Sequence, residues 1–310
     1  MTRWYYVIFT LFILTACDDG DIITVDLEFD KELDLCTNNT DSFLIYDTRQ
    51  DPNESLSLII PRSNNEAFPF TEATPVGNPQ EFPINESTTR FLYRTYNRAL
   101  ASGELCNPVP PADLNIVNDY EAPSGSAFAT VTIEDDDNDG IPSDLEGRGE
   151  MDENGNYPNA QDSDEDGIPD YLDQDDDNDN VPTSNEIDND DLDDDDDPTT
   201  NPLDTDGDGT PDYLDEDDDG DGVNTILEDE DQDQDPRNDL NANADGNIVP
   251  HYLNMLEVTE YDNPGLSGGN TYTRTIIIDF LITGVNLDIL SAQEIDFGTL
   301  TYAINFTEDN

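Results

Sequence analysis

Apolar and polar positions alternate at both ends of the chain and nowhere in its middle. Ile23-Thr24-Val25-Asp26-Leu27-Glu28-Phe29 alternates strictly, and residues 43–46, 56–60, 90–96 and 127–133 do so more loosely. A period of two sends successive side chains to opposite faces, as in a half-buried strand. Pro, Gly and Asn clusters, such as Phe68-Pro69-Phe70 and residues 74–79, separate these runs. The expectation for 17–133 is a small β-sandwich-like domain of five to seven short strands. Residues 255–310 show the same pattern at 272–282, 289–297 and 299–306. A piece of roughly 55 residues with no disulfide or metal is marginal alone, so it is expected to pack on the N-terminal domain if the middle doubles back.

The middle, 134–254, follows neither a strand nor a helix period. Of the chain's 76 acidic residues, 46 lie in 134–239, with Arg148 and Arg237 as the only bases there. The net charge of −66 excludes nucleic acid as a partner, because binding needs Lys and Arg to neutralise phosphates. It favours cations or basic surfaces instead.

These acids are in register. Asp162-Ser163-Asp164-Glu165-Asp166-Gly167-Ile168-Pro169-Asp170-Tyr171-Leu172-Asp173 recurs at 204–215 with every Asp in place. A second loop follows each after a single intervening residue, at 175–186 and 217–228, and a fifth spans 135–146. Acids stand at positions 1, 3 and 5 of each loop, a carboxylate closes it at 12, and Gly holds position 6 in four of the five. That is the order in which a calcium loop supplies hard oxygens around a sharp turn. The expected metal ligands are Asp135, Asp137, Asp139, Ser143 and Glu146; Asp162, Asp164, Asp166, Asp170 and Asp173; Asp175, Asp177, Asp179, Thr183 and Glu186; Asp204, Asp206, Asp208, Asp212 and Asp215; and Asp217, Asp219, Asp221, Thr225 and Glu228. Two types emerge, one closing with Asp and one with Glu. Acids outside this set, such as Asp218, are expected to be solvated. Asn180 stands where the other loops have Gly, and Asn tolerates a left-handed backbone. Asp193, Asp195, Asp197, Asn201 and Asp204 read as a degenerate sixth site. Asn241, Asn243, Asp245, Gly246 and His251 read as an eroded copy that binds weakly or not at all.

The close spacing of paired loops leaves no room for EF-hand helices, so the fold class expected here is an irregular calcium-wrapped segment of tandem EF-hand-like loops between mainly β flanking domains. These DxDxDGxxDxxD strings resemble thrombospondin type 3 repeats, which bacterial surface and outer-membrane proteins also carry as spacers. The resemblance covers about residues 134–254. It implies a chain wrapped around a line of calcium ions, ligated by the positions just named. The family's interleaved disulfides are absent.

The N-terminus, MTRWYYVIFTLFILTAC, has Arg3, an apolar run too short to span a bilayer, and small residues before Cys17. It reads as a signal peptide over 1–16. Leu14-Thr15-Ala16-Cys17 resembles a bacterial lipobox, implying lipidation at Cys17 and anchoring by acyl chains. Asp18-Asp19-Gly20-Asp21 is similar to the surface-export signal of Bacteroidota-type lipoproteins, implying an outer-membrane, cell-surface location. Cys36 and Cys106 remain as an even pair. An oxidising compartment would bridge them, and two free buried thiols are the other reading.

Catalysis finds little support in one His, no Gly-rich phosphate loop, and acid pairs already committed to the loops. The expectation is a calcium-binding, lipid-anchored structural or spacer protein at the cell surface. The alternative is a surface adhesin, or a glycan- or protein-binding lipoprotein, with Tyr93, Tyr96 and Tyr120 lining a site on the β-domain.

Overall fold

A computed structural model describes residues 29–38, 40–62, 68–153, 155–187, 197–267, 271–287 and 290–307. Cys17 and the alternating run before Phe29 lie outside the described residues, as do Asp193 and Asp195. The described residues form eleven strands in chain order: β1 (Asp34–Cys36), β2 (Ser42–Arg49), β3 (Glu54–Pro61), β4 (Gln80–Ile84), β5 (Arg90–Tyr96), β6 (Ile116–Glu121), β7 (Gly125–Thr132), β8 (Leu240–Ala242), β9 (Ile248–Pro250), β10 (Thr271–Leu287) and β11 (Leu290–Thr307). Among the described residues there is no α-helix, only one-turn 3-10 helices, and no helix long and apolar enough to cross a membrane.

Two sheets form a sandwich. One runs β1-β2-β3-β5-β6 and the other β11-β10-β7-β4. The two ends of the chain therefore build one body, because β10 pairs antiparallel with β7, Ile277 opposite Thr132. The period-two pattern explains the core. In β10 Ile276, Ile278, Phe280 and Ile282 all face inward, meeting Phe43, Ile45, Leu58 and Phe91 from the other sheet. Phe91 and Phe297 touch edge to face at 5.6 Å. Without the C-terminal hairpin the second sheet would be only β7 and β4, too small to cover its partner.

Local chemistry accounts for the strands the alternation did not mark. β4 contains Pro83 and lies at a sheet edge, where a missing N–H costs no ladder bond. β6 is the opposite sheet's edge and is largely exposed. The expected break between 297 and 299 is instead a bulge in one long strand. Gly298 (φ 129°) lets the Lys31 backbone approach to where a Cβ would sit 2.4 Å from its carbonyl oxygen. Thr299 N–H then donates to Lys31 O at 2.9 Å. Cys36 on β1 is disulfide-bonded to Cys106, in the turn between β5 and β6.

β7 ends at Thr132 and β10 begins at Thr271, so the whole acidic middle is inserted between two paired strands. The insert has almost no apolar core: Ile141, Ile187 and Tyr213 form its one small cluster among the described residues, with Leu214 beside them. Its return leg runs back along the loops. Tyr261 N–H donates to Leu227 O, and Gln234 Nε2 to Leu266 O, both at 2.8 Å.

Candidate metal centres

The backbone of each loop turns at the same two places. Positions 4 and 6 are left-handed in all five: Asn138 and Gly140, Glu165 and Gly167, Asn178 and Asn180, Gly207 and Gly209, Gly220 and Gly222. Those two turns aim successive N–H groups at the carboxylate of position 1. Asp135 accepts from Asn138 N at 2.5 Å and Gly140 N at 3.2 Å, and Asp204 from Gly207 N at 2.8 Å and Gly209 N at 3.2 Å. Asp175 accepts from Asp179 N and Asn180 N, and Asp217 from Gly222 N. Position 3 accepts from the N–H of position 5, as Asp137, Asp164, Asp206 and Asp219 do. Position 5 accepts from position 7, as Asp139, Asp166, Asp179, Asp208 and Asp221 do. The closing Asp173 and Asp215 accept from Asp175 N and Asp217 N.

Asp177 aside, positions 3 and 5 thus spend one oxygen on the backbone and keep the other. The second oxygens of Asp137, Asp139, Asp164, Asp179, Asp219 and Asp221 are buried with no hydrogen-bond partner, as are both oxygens of Glu146, Asp177 and Glu186 and one of Glu228. Buried polar atoms are satisfied in nearly all native structures, so a set of orphans at repeating positions needs a partner. All the donors are hard oxygens, the kind a calcium-class cation takes. The residues present fit such an ion.

Position 9 faces elsewhere. Asp170 spends both oxygens on Ser163 (N 2.7 Å, Oγ 2.8 Å), and Asp212 does the same with Thr205 (2.7 and 2.6 Å). Ser143, Thr183 and Thr225 accept from the backbone N–H of Asp136, Asp176 and Asp218. These five residues clamp position 2 onto the loop; they brace the ligand set from behind.

The Glu-closed loops are the buried ones. Donor atoms of Asp135, Asp137 and Asp139 lie within 4.8 Å of one another, as do those of Asp175, Asp177 and Asp179 and of Asp162, Asp164 and Asp166. Two further clusters of the same tightness span different loops: Asp139, Glu146 and Asp176, then Asp179, Glu186 and Asp218. Asp218 was expected to be solvated and is 1% exposed, because the following loop folds back against the preceding one.

Burial, and after it the neighbouring carboxylates, raises the proton affinity of these groups. Asp137 is pushed up to about 11, Glu146 to about 12, Asp176 and Asp218 to about 10, and Glu228 to about 9. Asp177, Asp179 and Glu186 are raised well above the carboxylate range by the same causes. In the Asp-closed loop 162–173, Asp164 rises only to about 6. At neutral pH each buried cluster requires either protons or a cation.

One loop escaped the sequence pattern. Asp229 accepts from Gln232 N, Asp233 N and Gln234 N at 2.6, 3.2 and 2.7 Å. Gln232 and Gln234 occupy the left-handed positions 4 and 6 (φ 60° and 71°). Asp239, buried with an unpartnered oxygen, stands near its end. Acids at 229, 231 and 233 were a visible signal, hidden by the missing Gly at position 6 and by Leu240 at position 12.

The eroded copy is a small hairpin, β8–β9, whose Asn243 accepts from Asp245 N and Asn247 N. There Asn254 Nδ2 donates to Asn241 Oδ1, so amides satisfy each other where the other loops have carboxylates. His251 is buried and stacks on Tyr261. Asp197 caps its own turn through Thr199. Asn180 is more than a tolerated substitute for Gly: its Nδ2 donates to Gly265 O at 3.1 Å and its Oδ1 accepts from Ser267 N at 2.6 Å, hooking the return leg. Tyr93 and Tyr96 are buried and bonded to Glu54 and Ser55, and Tyr120 stacks on Tyr93.

Fold and site together define a β-sandwich with an inserted string of acidic, cation-shaped loops. No protein-family model, curated protein or solved structure matches the chain.

Proposed function

We propose that this is a calcium-binding, lipid-anchored surface protein whose acidic insert folds and stiffens when calcium fills its loops. The observation that carries the reading is the row of buried carboxylate oxygens, recurring at the same loop positions, that no hydrogen-bond donor reaches. Calcium accepts six to eight oxygens in irregular geometry, and loops with mixed carboxylate and carbonyl donors suit it better than the strict octahedron of magnesium. When bound, the ion supplies positive charge that cancels the repulsion within each cluster. The residues do the rest: position 1 is fixed by loop N–H groups, positions 3 and 5 by the backbone ahead of them, and position 12 closes the ring.

Thrombospondin type 3-like spacers separate bodies along a line. Here the insert leaves from β7 and returns to the adjacent β10. The supported role is therefore a stiff projection from the sandwich, with the lipid at Cys17 holding the sandwich to the membrane. Small-angle scattering and circular dichroism of the whole chain, with millimolar calcium, with magnesium, and after chelation, test the reading. Contraction and a spectral change specific to calcium are expected. Identical size and spectrum in all three would overturn it.

A further inference from the structure

Position 2 is outside any calcium-loop ligand set, yet in the three Glu-closed loops it is a buried Asp. Asp136, Asp176 and Asp218 are 6%, 2% and 1% exposed. The two Asp-closed loops carry Ser163 and Thr205 there instead, each bonded to its own position 9.

The three buried acids have different company. Asp136, in the first loop, meets fixed positive charge: Arg148 Nη1 at 2.7 Å and Arg274 Nη2 at 3.5 Å, with Ser143 Oγ donating at 3.0 Å. Arg274 comes from β10 and also donates through Nε to Asp136 O at 2.7 Å. Asp176 and Asp218 have no such partner. Both oxygens of each are buried without a hydrogen bond. What each faces is the open end of the preceding Glu-closed loop: Asp176 joins Asp139 and Glu146, and Asp218 joins Asp179 and Glu186.

A buried carboxylate surrounded by carboxylates is stable only if a cation or a proton sits between them. At the first loop no Glu-closed loop precedes, and the site position 2 would serve is replaced by two guanidinium groups. From this contrast, and resting on the calcium reading above, we infer that Asp176 and Asp218 are calcium ligands in trans: each completes the Glu-closed site of the preceding loop. Asp136 is the same device at the start of the row, where Arg148 and Arg274 replace the ion and fasten the string to the sandwich.

The consequence is coupling. Asp176 is carried on the backbone of loop 175–186, so filling that loop places a ligand for the ion of loop 135–146. By linkage the effect is reciprocal. Loops far apart in sequence then fill together, and the string closes as a unit without a hydrophobic core.

The test is calcium titration of the full chain by calorimetry, with ions counted by native mass spectrometry, for the wild type and for Asp176→Asn, Asp218→Asn and Asp136→Asn. Expected for Asp176→Asn and Asp218→Asn are a tenfold or larger loss of affinity or one ion fewer, and a shallower binding curve. Asp136→Asn is expected to keep the wild-type ion count. Asp176→Glu, which keeps a carboxylate, is expected to recover binding, separating a lost ligand from a misfolded loop. Wild-type count, affinity and steepness in both Asn variants would overturn the inference while leaving calcium binding intact. A wild type that takes up no calcium would overturn the proposed function together with it.

Discussion

If calcium fills the loops as proposed, its removal leaves an insert whose fold depends on pH in a direction opposite to ordinary acid denaturation. The carboxyls of Asp137, Glu146, Asp176 and Asp218 titrate at about 10 to 12 in the folded string, because burial and neighbouring carboxylates disfavour their charge. In the expanded chain they titrate near 4. Between these values the folded form holds more protons, so stability is fully present below about pH 4 and falls as pH rises. For one such group with a folded value near 10, the loss between pH 4 and pH 7 is about 1.4 kcal/mol per unit, or about 4 kcal/mol. One such group alone is a large part of the roughly 5–15 kcal/mol that holds a typical domain together. The calcium-free string is therefore expected to be expanded at pH 7.5 and to contract as its carboxyls are protonated toward pH 4.5. With calcium, acid should act the other way and release the ion. Small-angle scattering of dilute, calcium-depleted protein across this range, repeated on the calcium-loaded protein, reads both arms. A calcium-free chain as compact at pH 7.5 as the loaded one would refute the reasoning, since it would mean that these clusters tolerate their charge unaided.

Three further outcomes follow from single contacts. Asn180→Gly keeps the left-handed turn but removes the two hydrogen bonds to Gly265 and Ser267, which should cost about 1–2 kcal/mol and raise hydrogen exchange on the return leg while calcium binding by loop 175–186 persists. Replacing Cys36 and Cys106 together by Ser opens a link across 70 residues and should lower sandwich stability by about 4 kcal/mol in denaturant titration, with calcium uptake unchanged. Cys17→Ala should shift the protein from the membrane fraction to the soluble fraction after cell fractionation, and unaltered membrane association would argue against the lipid anchor.

The acidic loops were legible because their information is local. Position 6 needs a left-handed residue and positions 1, 3 and 5 need short carboxylates, so spacing alone located Asp162–Asp173 and its four relatives. Position 9 carries a second role that spacing does not show: an Asp there reads as a ligand, and the structure adds hydrogen bonds from Ser163 and Thr205 to both oxygens of Asp170 and Asp212. Position 2 was invisible because its partners lie in an earlier repeat, Asp176 beside Glu146 and Asp218 beside Glu186, and no local rule marks a group that faces another loop. Loop 229–240 was missed because Gln234 takes a conformation usually reserved for Gly. Among the strands, those with one buried face announced themselves. The edge strands β4 and β6 did not, since exposure on both faces removes the alternation. That β10 lies beside β7 is a long-range pairing which composition does not encode.

Under the proposed function, this pairing also decides what calcium would control. An unfolded loop costs entropy only as the logarithm of its length, about 0.6 kcal/mol per doubling. Lengthening a short strand connection more than tenfold, as between Thr132 and Thr271, therefore costs about 2–3 kcal/mol, which a disulfide-linked, well-filled sandwich can absorb. The sandwich is expected to stay folded when the string is expanded, and to unfold as a separate transition. The string gains more from the sandwich than it gives. Its first buried acid, Asp136, is neutralised by Arg274 from β10, and that guanidinium is itself seated 4.2 Å over the ring of Phe306 on β11. One end of the row is thus fixed in place without any ion. Under the proposed function, calcium would have only to order the loops outward from that fixed end, and the hook at Asn180 ties the returning chain to the third of them. A string free at both ends would have to order every loop from nothing; this one begins on a charge supplied by the sandwich.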